Sequence, residues 1–207
     1  MGRGEVVMGM KALLTLILVV LHCTCAPAQS SVAPDGSVLS LERARLHQQR
    51  TAMYVLGGWA VANIGLGLGL RAGRTGEARR FHEMNAIWNT VNLGIAGFGL
   101  WSVLRADPAA LDAFGSLREN DGLQKILLLN TGLDVAYIVG GLYLKERARR
   151  PDADADRLRG YGRSIVLQGG FLLAFDLVNY FIAAGRTGAY APLLGATADG
   201  LGLSLRF

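Results

Sequence analysis

The sequence predicts an all-α protein: a bundle of four transmembrane helices behind a cleavable N-terminal signal peptide, with a polar cluster inside the bundle. Three observations predict it. Four stretches, roughly 53–70, 82–104, 124–144 and 164–184, are apolar for about the 20 residues a helix needs to cross a bilayer. Of the 207 residues 51% are hydrophobic and 28 are glycine, and mean hydropathy is +0.31, a membrane-protein composition. Each stretch also carries amide or carboxylate side chains near its middle, at spacings that gather most of them on one helix face.

The elements follow in order. Arg3 and Lys11 form a basic n-region, Ala12 to Leu21 a short apolar core, and Ala26-Pro27-Ala28 a small-x-small cleavage site before Gln29. About ten apolar residues are too few to span lipid, so residues 1–28 read as a signal peptide and 29–207 as one membrane domain. Cys23 and Cys25 leave with the signal, and the mature chain then has no thiol for disulfides, thiolate metal sites or nucleophilic catalysis. Residues 29–37 are a polar connection. A helical pattern starts near Val38, with Leu39, Leu46 and Met53 at heptad spacing, and runs into the first span. Gly58, Gly65 and Gly69 give that span a small-residue side, suited to close packing within the bundle or, alternatively, to a homodimer contact. Asp107-Pro108 reads as an N-cap with Pro at the first helical position, starting a short interfacial helix at about 108–118. Gly73, Pro151 and Gly185 sit where span ends need helix-stopping residues. Leu201, Leu203, Leu205 and Phe207 alternate with polar or small residues in a short strand-like tail.

The formal net charge of +5 does not mark a nucleic-acid binder, because Lys and Arg lie between the apolar segments, as in membrane loops. Arg71, Arg74, Arg79 and Arg80 follow span one, and Lys145, Arg147, Arg149, Arg150, Arg157, Arg159 and Arg163 follow span three. The opposite side has Arg43, Arg45, Arg50, Arg105, Arg118, Lys125, Arg186 and Arg206. Eleven against eight places the first pair of loops in the cytoplasm and the N-terminus outside, as does a cleaved signal.

His82, Asn85, Asn89 and Asn92 form one stripe on the second span; Asn130, Asp134, Tyr137 and Gly141 form another on the third; Ser164, Gln168, Asp176 and Asn179 share a side of the fourth; Asn63 stands on the first, one turn from Trp59. Lipid satisfies none of these groups, so the stripes must face inward. At 1.5 Å per residue, Asn63, Asn89, Asn92, Asp134 and Asp176 all fall about 10 to 18 Å from their helix entries, a shared mid-membrane level. No Lys or Arg lies within the spans to neutralise Asp134 or Asp176, which leaves a shared proton, the asparagines, water or a bound cation.

Other motifs are bland. Asp152-x-Asp154-x-Asp156 starts like a calcium loop, but Arg157 and Arg163 stand where Gly and Glu are required, so it reads as a solvated charge run. His82-Glu83 lacks the second histidine of a zinc motif. There is no phosphate loop, dinucleotide fingerprint or nucleophile elbow, so neither a metal ligand set nor a catalytic residue is assigned, and no cofactor follows from the sequence.

The blocks Gly57-Gly58-Trp59-Ala60-Val61-Ala62-Asn63, Phe81-His82-Glu83-Met84-Asn85-Ala86-Ile87-Trp88-Asn89, Leu129-Asn130-Thr131-Gly132-Leu133-Asp134, and Gly160-Tyr161-Gly162-Arg163-Ser164 through Phe175-Asp176-Leu177-Val178-Asn179 resemble a family of small bacterial membrane proteins known only as a domain of unknown function. The resemblance implies a helical membrane protein and carries no chemistry with it. The expectation is therefore a multi-pass protein of the bacterial cytoplasmic membrane whose site comprises Asn63, His82, Asn85, Asn89, Asn92, Asn130, Asp134, Gln168, Asp176 and Asn179. Binding or passage of a cation, proton or small polar solute is the first reading. A structural or assembly subunit is the second, and a membrane-embedded enzyme the third.

Overall fold

A computed structural model describes residues 37–195; the signal peptide and the Leu/Phe tail predicted from sequence lie outside the described residues. Four long helices account for almost all of it: α1 (Val38–Arg71), α2 (Gly76–Arg105), α3 (Ala113–Arg147) and α4 (Ala155–Thr187). A 3-10 turn (Gly188–Tyr190) and a short helix α5 (Ala191–Gly195) follow. All four long helices are long and apolar enough to cross a membrane.

Local chemistry sets the ends. Ser37 caps α1 by accepting from Ser40 N, Asp112 caps α3 by accepting from Gly115 N at 2.7 Å, and Asp154 caps α4 by accepting from Arg157 N at 3.1 Å. Arg71, Arg105, Lys145 with Arg147, and Arg186 occupy the last turns of α1 to α4, facing the negative ends of the helix dipoles. Gly76 opens α2 at φ +58, a left-handed backbone suited to glycine.

Two segments differ from the sequence reading. No separate interfacial helix forms at 108–118: residues 106–112 are turns, and 113–118 belong to α3. Asp107 accepts from Ala109 N in a local turn, and the capping role falls to Asp112. Gly185 does not stop the fourth span, because α4 continues through it to Thr187.

The helices pair as two antiparallel hairpins, α1 with α2 and α3 with α4, joined by packing of α2 on α4. Glycine permits the closest approaches. A Cβ on Gly141 would lie 2.7 Å from the Gly162 carbonyl oxygen, and one on Gly160 would lie 2.6 Å from the Glu77 carbonyl oxygen. The glycines singled out on span one play no such part: around Gly58, Gly65 and Gly69 there is open space, and it is Gly67 that meets α2, against the His82 carbonyl.

The burial pattern inverts that of a water-soluble bundle. Asn, Gln, Asp, Ser and Arg side chains lie inside, while Val61, Leu66, Val91, Phe98, Leu129, Val139 and Phe181 each expose more than half their surface. In water such a surface would drive association; in lipid it is the solvated face. One apolar layer, Leu56, Trp59, Ala96, Phe171 and Phe175, crosses the interior, with Trp59 stacked on Phe171 at 3.9 Å.

Candidate functional site

The ten residues selected from sequence do not form one cluster. The structure distributes them between a closed amide knot, a cavity wall and one outlier.

The knot joins α1, α2 and α4. Asn63 Oδ1 accepts from Asn85 Nδ2 and Gln168 Nε2, both at 3.4 Å. Asn85 Oδ1 accepts from Ser164 Oγ at 2.6 Å and Gln168 Nε2 at 3.0 Å, while Gln168 Oε1 accepts from Trp59 Nε1 at 2.8 Å. Asn63 Nδ2 donates back to the Trp59 carbonyl, at 2.9 Å. Each side-chain amide here has partners for both of its ends, so the group costs little to bury and demands no ligand. Asn89 extends the knot along α2 by donating to the Asn85 carbonyl and accepting from Asn92 Nδ2.

Asn92, Asn130, Asp134, Asp176 and Asn179 line a cavity of about 440 Å³ on the far side of the apolar layer, with Gln48, Met53, Ile95, Phe98, Ile126 and Tyr137 among its other walls. Asp134 and Asp176 stand carboxyl against carboxyl within hydrogen-bonding reach, with the Asn130 amide beside Asp176. An ionised carboxylate only accepts, so a bond between two carboxyls requires a proton on one of them. Both residues are buried, and apart from the Asp176 carboxyl no donor among the described residues reaches Asp134 Oδ2.

His82 is the outlier. It lies ten residues before Asn92, about 15 Å along α2, at the end of the bundle that carries the Arg-rich loops. Its ring meets Phe81 edge-on, and its Nδ1 has no partner among the described residues. The carboxyl pair and His82 are thus separate features.

The sequence reading missed a second polar network. Near the other end of the bundle, Arg45 pairs with Glu42 at 2.7 Å, Ser116 Oγ bonds Glu42, and Tyr190 Oη lies 3.2 Å from Ser116 Oγ. A serine has one proton, so with Ser116 donating to Glu42 the Tyr190 hydroxyl donates to Ser116. Arg186 Nη1 donates to Asn120 Oδ1 and Nη2 to Gln48 Oε1, both at 2.6 Å, and Gln48 Nε2 donates to the Asn179 carbonyl at 2.7 Å. Arg45 and Arg186 were counted as loop charges from sequence, but both are buried in this collar. The available signal was the three-residue spacing of Glu42, Arg45 and Gln48 on the polar start of α1.

The two networks bracket the cavity along the bundle axis, while its flank is different. Consecutive helices α2 and α3 hardly pack against each other. They touch through Trp88 and Tyr137, edge to face at 4.8 Å, at the deep end of the cavity.

Fold and site together define an integral, multi-pass, all-helical membrane protein with a polar interior. The model of a "Family of unknown function (DUF6992)" matches residues 55–177, more than half of the chain, and the chain belongs to that family. The match contains both aspartates and the knot, and it leaves out Glu42, Arg45 and Arg186. No curated protein and no solved structure matches.

Proposed function

We propose that the protein is a membrane-embedded binding protein whose site is the Asp134–Asp176 pair, and that the bound species gives this pair a proton or a hydrogen bond. One observation carries the reading: two buried carboxyls, Asp134 and Asp176, stand together in the wall of a cavity with no Lys, Arg or His among the described residues paired to either. A buried acceptor left alone costs about 1–3 kcal/mol, and the neighbouring knot satisfies its own amides. Binding is favoured over conduction because polar side chains close the interior at both ends of the cavity. His82 takes no role in this site, and no catalytic step is assigned.

The charge asymmetry supports an N-out orientation in a bacterial cytoplasmic membrane. With Arg45 and Arg186 withdrawn into the collar, the loop count becomes eleven against six.

Carbodiimide labelling tests the site. Dicyclohexylcarbodiimide is lipid-soluble and reacts with protonated carboxyls. In liposomes it should modify Asp134 or Asp176, identified by peptide mass spectrometry, and Asp134→Asn with Asp176→Asn should abolish that label. Absence of label on both carboxyls in the parent protein would remove the reading.

The structural-subunit reading has its own observation, the self-satisfied knot of Asn63, Asn85, Ser164 and Gln168. Those residues act as interhelical fastening, independent of any ligand.

A further inference from the structure

We infer that the occupant of the cavity is an amphiphile, an apolar body ending in a hydrogen-bond-donating head, which enters sideways from the bilayer between α2 and α3. The inference rests on the Asp134–Asp176 site proposed above and names its ligand class and route.

The route follows from what closes the cavity and what does not. Toward the Arg-rich loops, Trp59 stacked on Phe171 and the amide knot fill the interior. Toward the other end, Arg186 holds Gln48 and Asn120 together across three helices. Between α2 and α3, which hardly pack against each other, Trp88 meets Tyr137 at the deep end. Beyond that contact several cavity-lining residues of both helices are also surface residues: Val91 is 63% exposed, Phe98 70% and Ile126 59%. These apolar rims face acyl chains, so the opening is to lipid rather than water.

The ligand class follows from the wall. Most of the lining is aliphatic or aromatic, and its deep end carries Asn92, Asn130, Asp134 and Asp176. At the collar end Gln48 already bonds both Asn179 and Arg186. The carboxyl pair offers four oxygens and, as a bonded pair, a shared proton, so its spare capacity is for accepting, and a head that donates complements it. A free ion or sugar would have to cross hydrocarbon to reach this mouth; an amphiphile is already dissolved there. A volume of about 440 Å³ lies in the range of small-molecule sites, and a longer tail would emerge through the mouth. The hydroxyl head on an apolar body is common to quinols and to hydroxyl-bearing lipids such as monoacylglycerols.

The experiment uses the full chain in nanodiscs of phosphatidylcholine, whose headgroup has no N–H or O–H. Labelling by dicyclohexylcarbodiimide is followed with a decyl benzoquinol, its dimethyl ether or a monoacylglycerol added. A hydrogen bond to a charged or proton-sharing carboxyl corresponds to roughly tenfold or more in affinity. We expect saturable protection by the quinol, the monoacylglycerol or both, which identifies the source, and at least about tenfold weaker protection by the dimethyl ether. Val91→Trp with Ile126→Trp should narrow the mouth and slow labelling itself at least tenfold, with an unchanged melting temperature. Labelling that no probe slows, or equal protection by the dimethyl ether, overturns the amphiphile and leaves the carboxyl site standing. Unchanged labelling of the tryptophan variant overturns lateral entry. Loss of labelling in the parent protein overturns the site on which both depend.

Discussion

Replacing Arg186 by Met should destabilise the bundle by about 2–4 kcal/mol, and the reason lies in what the arginine leaves behind. The residue is 8% exposed, and its guanidinium gives two 2.6 Å bonds to neutral amide oxygens, Asn120 Oδ1 on α3 and Gln48 Oε1 on α1. Hydrogen bonds to a charged group contribute about 1.5–3 kcal/mol each, so the pair contributes about 3–6 kcal/mol. Removing a poorly hydrated cation returns part of its desolvation cost. Lys does not restore the span, because one ammonium replaces a planar fork that reaches two helices at once. The assay is reversible unfolding in mixed detergent micelles, read by tryptophan fluorescence, on Arg186→Met, Arg186→Lys and the triple variant Arg186→Met, Gln48→Met, Asn120→Leu. The triple variant should recover much of the loss, since no orphaned oxygen remains. If Arg186→Met is as stable as the parent, or the triple variant is no better than the single one, the collar is not held as described. The same substitution should admit water to the cavity, so a water-soluble carbodiimide should label Asp176 faster than in the parent.

The other predictions are shorter. Asn85→Leu strands Ser164 Oγ and leaves Gln168 Nε2 only its 3.4 Å bond to Asn63; it should cost about 1–2 kcal/mol by the same unfolding assay and leave carbodiimide labelling of the aspartates intact. Gly141→Ala drives a Cβ to 2.7 Å from the Gly162 carbonyl, backbone against backbone, and should cost about 1–3 kcal/mol as overpacking. Gly69→Ala meets open space and should be neutral or stabilising by up to about 1 kcal/mol, because alanine restricts the unfolded chain; equal losses at both glycines would discredit the packing described for α3 and α4. Trp88→Ala removes the contact with Tyr137 and should speed carbodiimide labelling from the lipid side, measured by mass spectrometry.

The spans were legible because lipid imposes a length and a composition on each of them. The start of α1 was legible too, through its heptad spacing from Val38. Inward-facing polar stripes followed from period alone: Asn85, Asn89, Asn92, Asp134, Gln168, Asp176 and Asn179 are all buried. The partition of those residues was not legible. Depth arithmetic sets Asn63 and Asp134 at one level, yet Asn63 turns to Asn85 and Gln168 while Asp134 turns to Asp176. Which stripe faces which depends on helix rotation and crossing, and close glycine contacts such as Gly141 on Gly162 set those. The collar escaped because its bonds join residues as distant as Gln48 and Arg186, and because an arginine just past an apolar run reads as a loop charge. The loss of the interfacial helix at 108–118 has a simpler cause: Asp107 and Asp112 are both plausible caps, and only the second begins a continuous helix.

The contrast between self-satisfied and unsatisfied polar groups is the strongest guide to function in this molecule. Polar residues that serve only to hold helices together bond one another, as the knot and the collar do. Evolutionary freedom to replace Asp134 and Asp176 by a hydrogen-bonded Asn pair, or by two leucines, would relieve the burial cost without disturbing either network, since neither aspartate contributes to the knot or the collar. Their presence beside the cavity is accounted for either by the proposed binding or by the contact they make between α3 and α4. A stability measurement decides between the two accounts. Asp134→Leu together with Asp176→Leu should leave the bundle as stable as the parent or more stable, because a buried polar pair gives way to apolar contact, while protection by any amphiphile disappears. A large loss of stability in that variant would mean that the carboxyl pair fastens α3 to α4 after all, and the binding argument would lose its foundation.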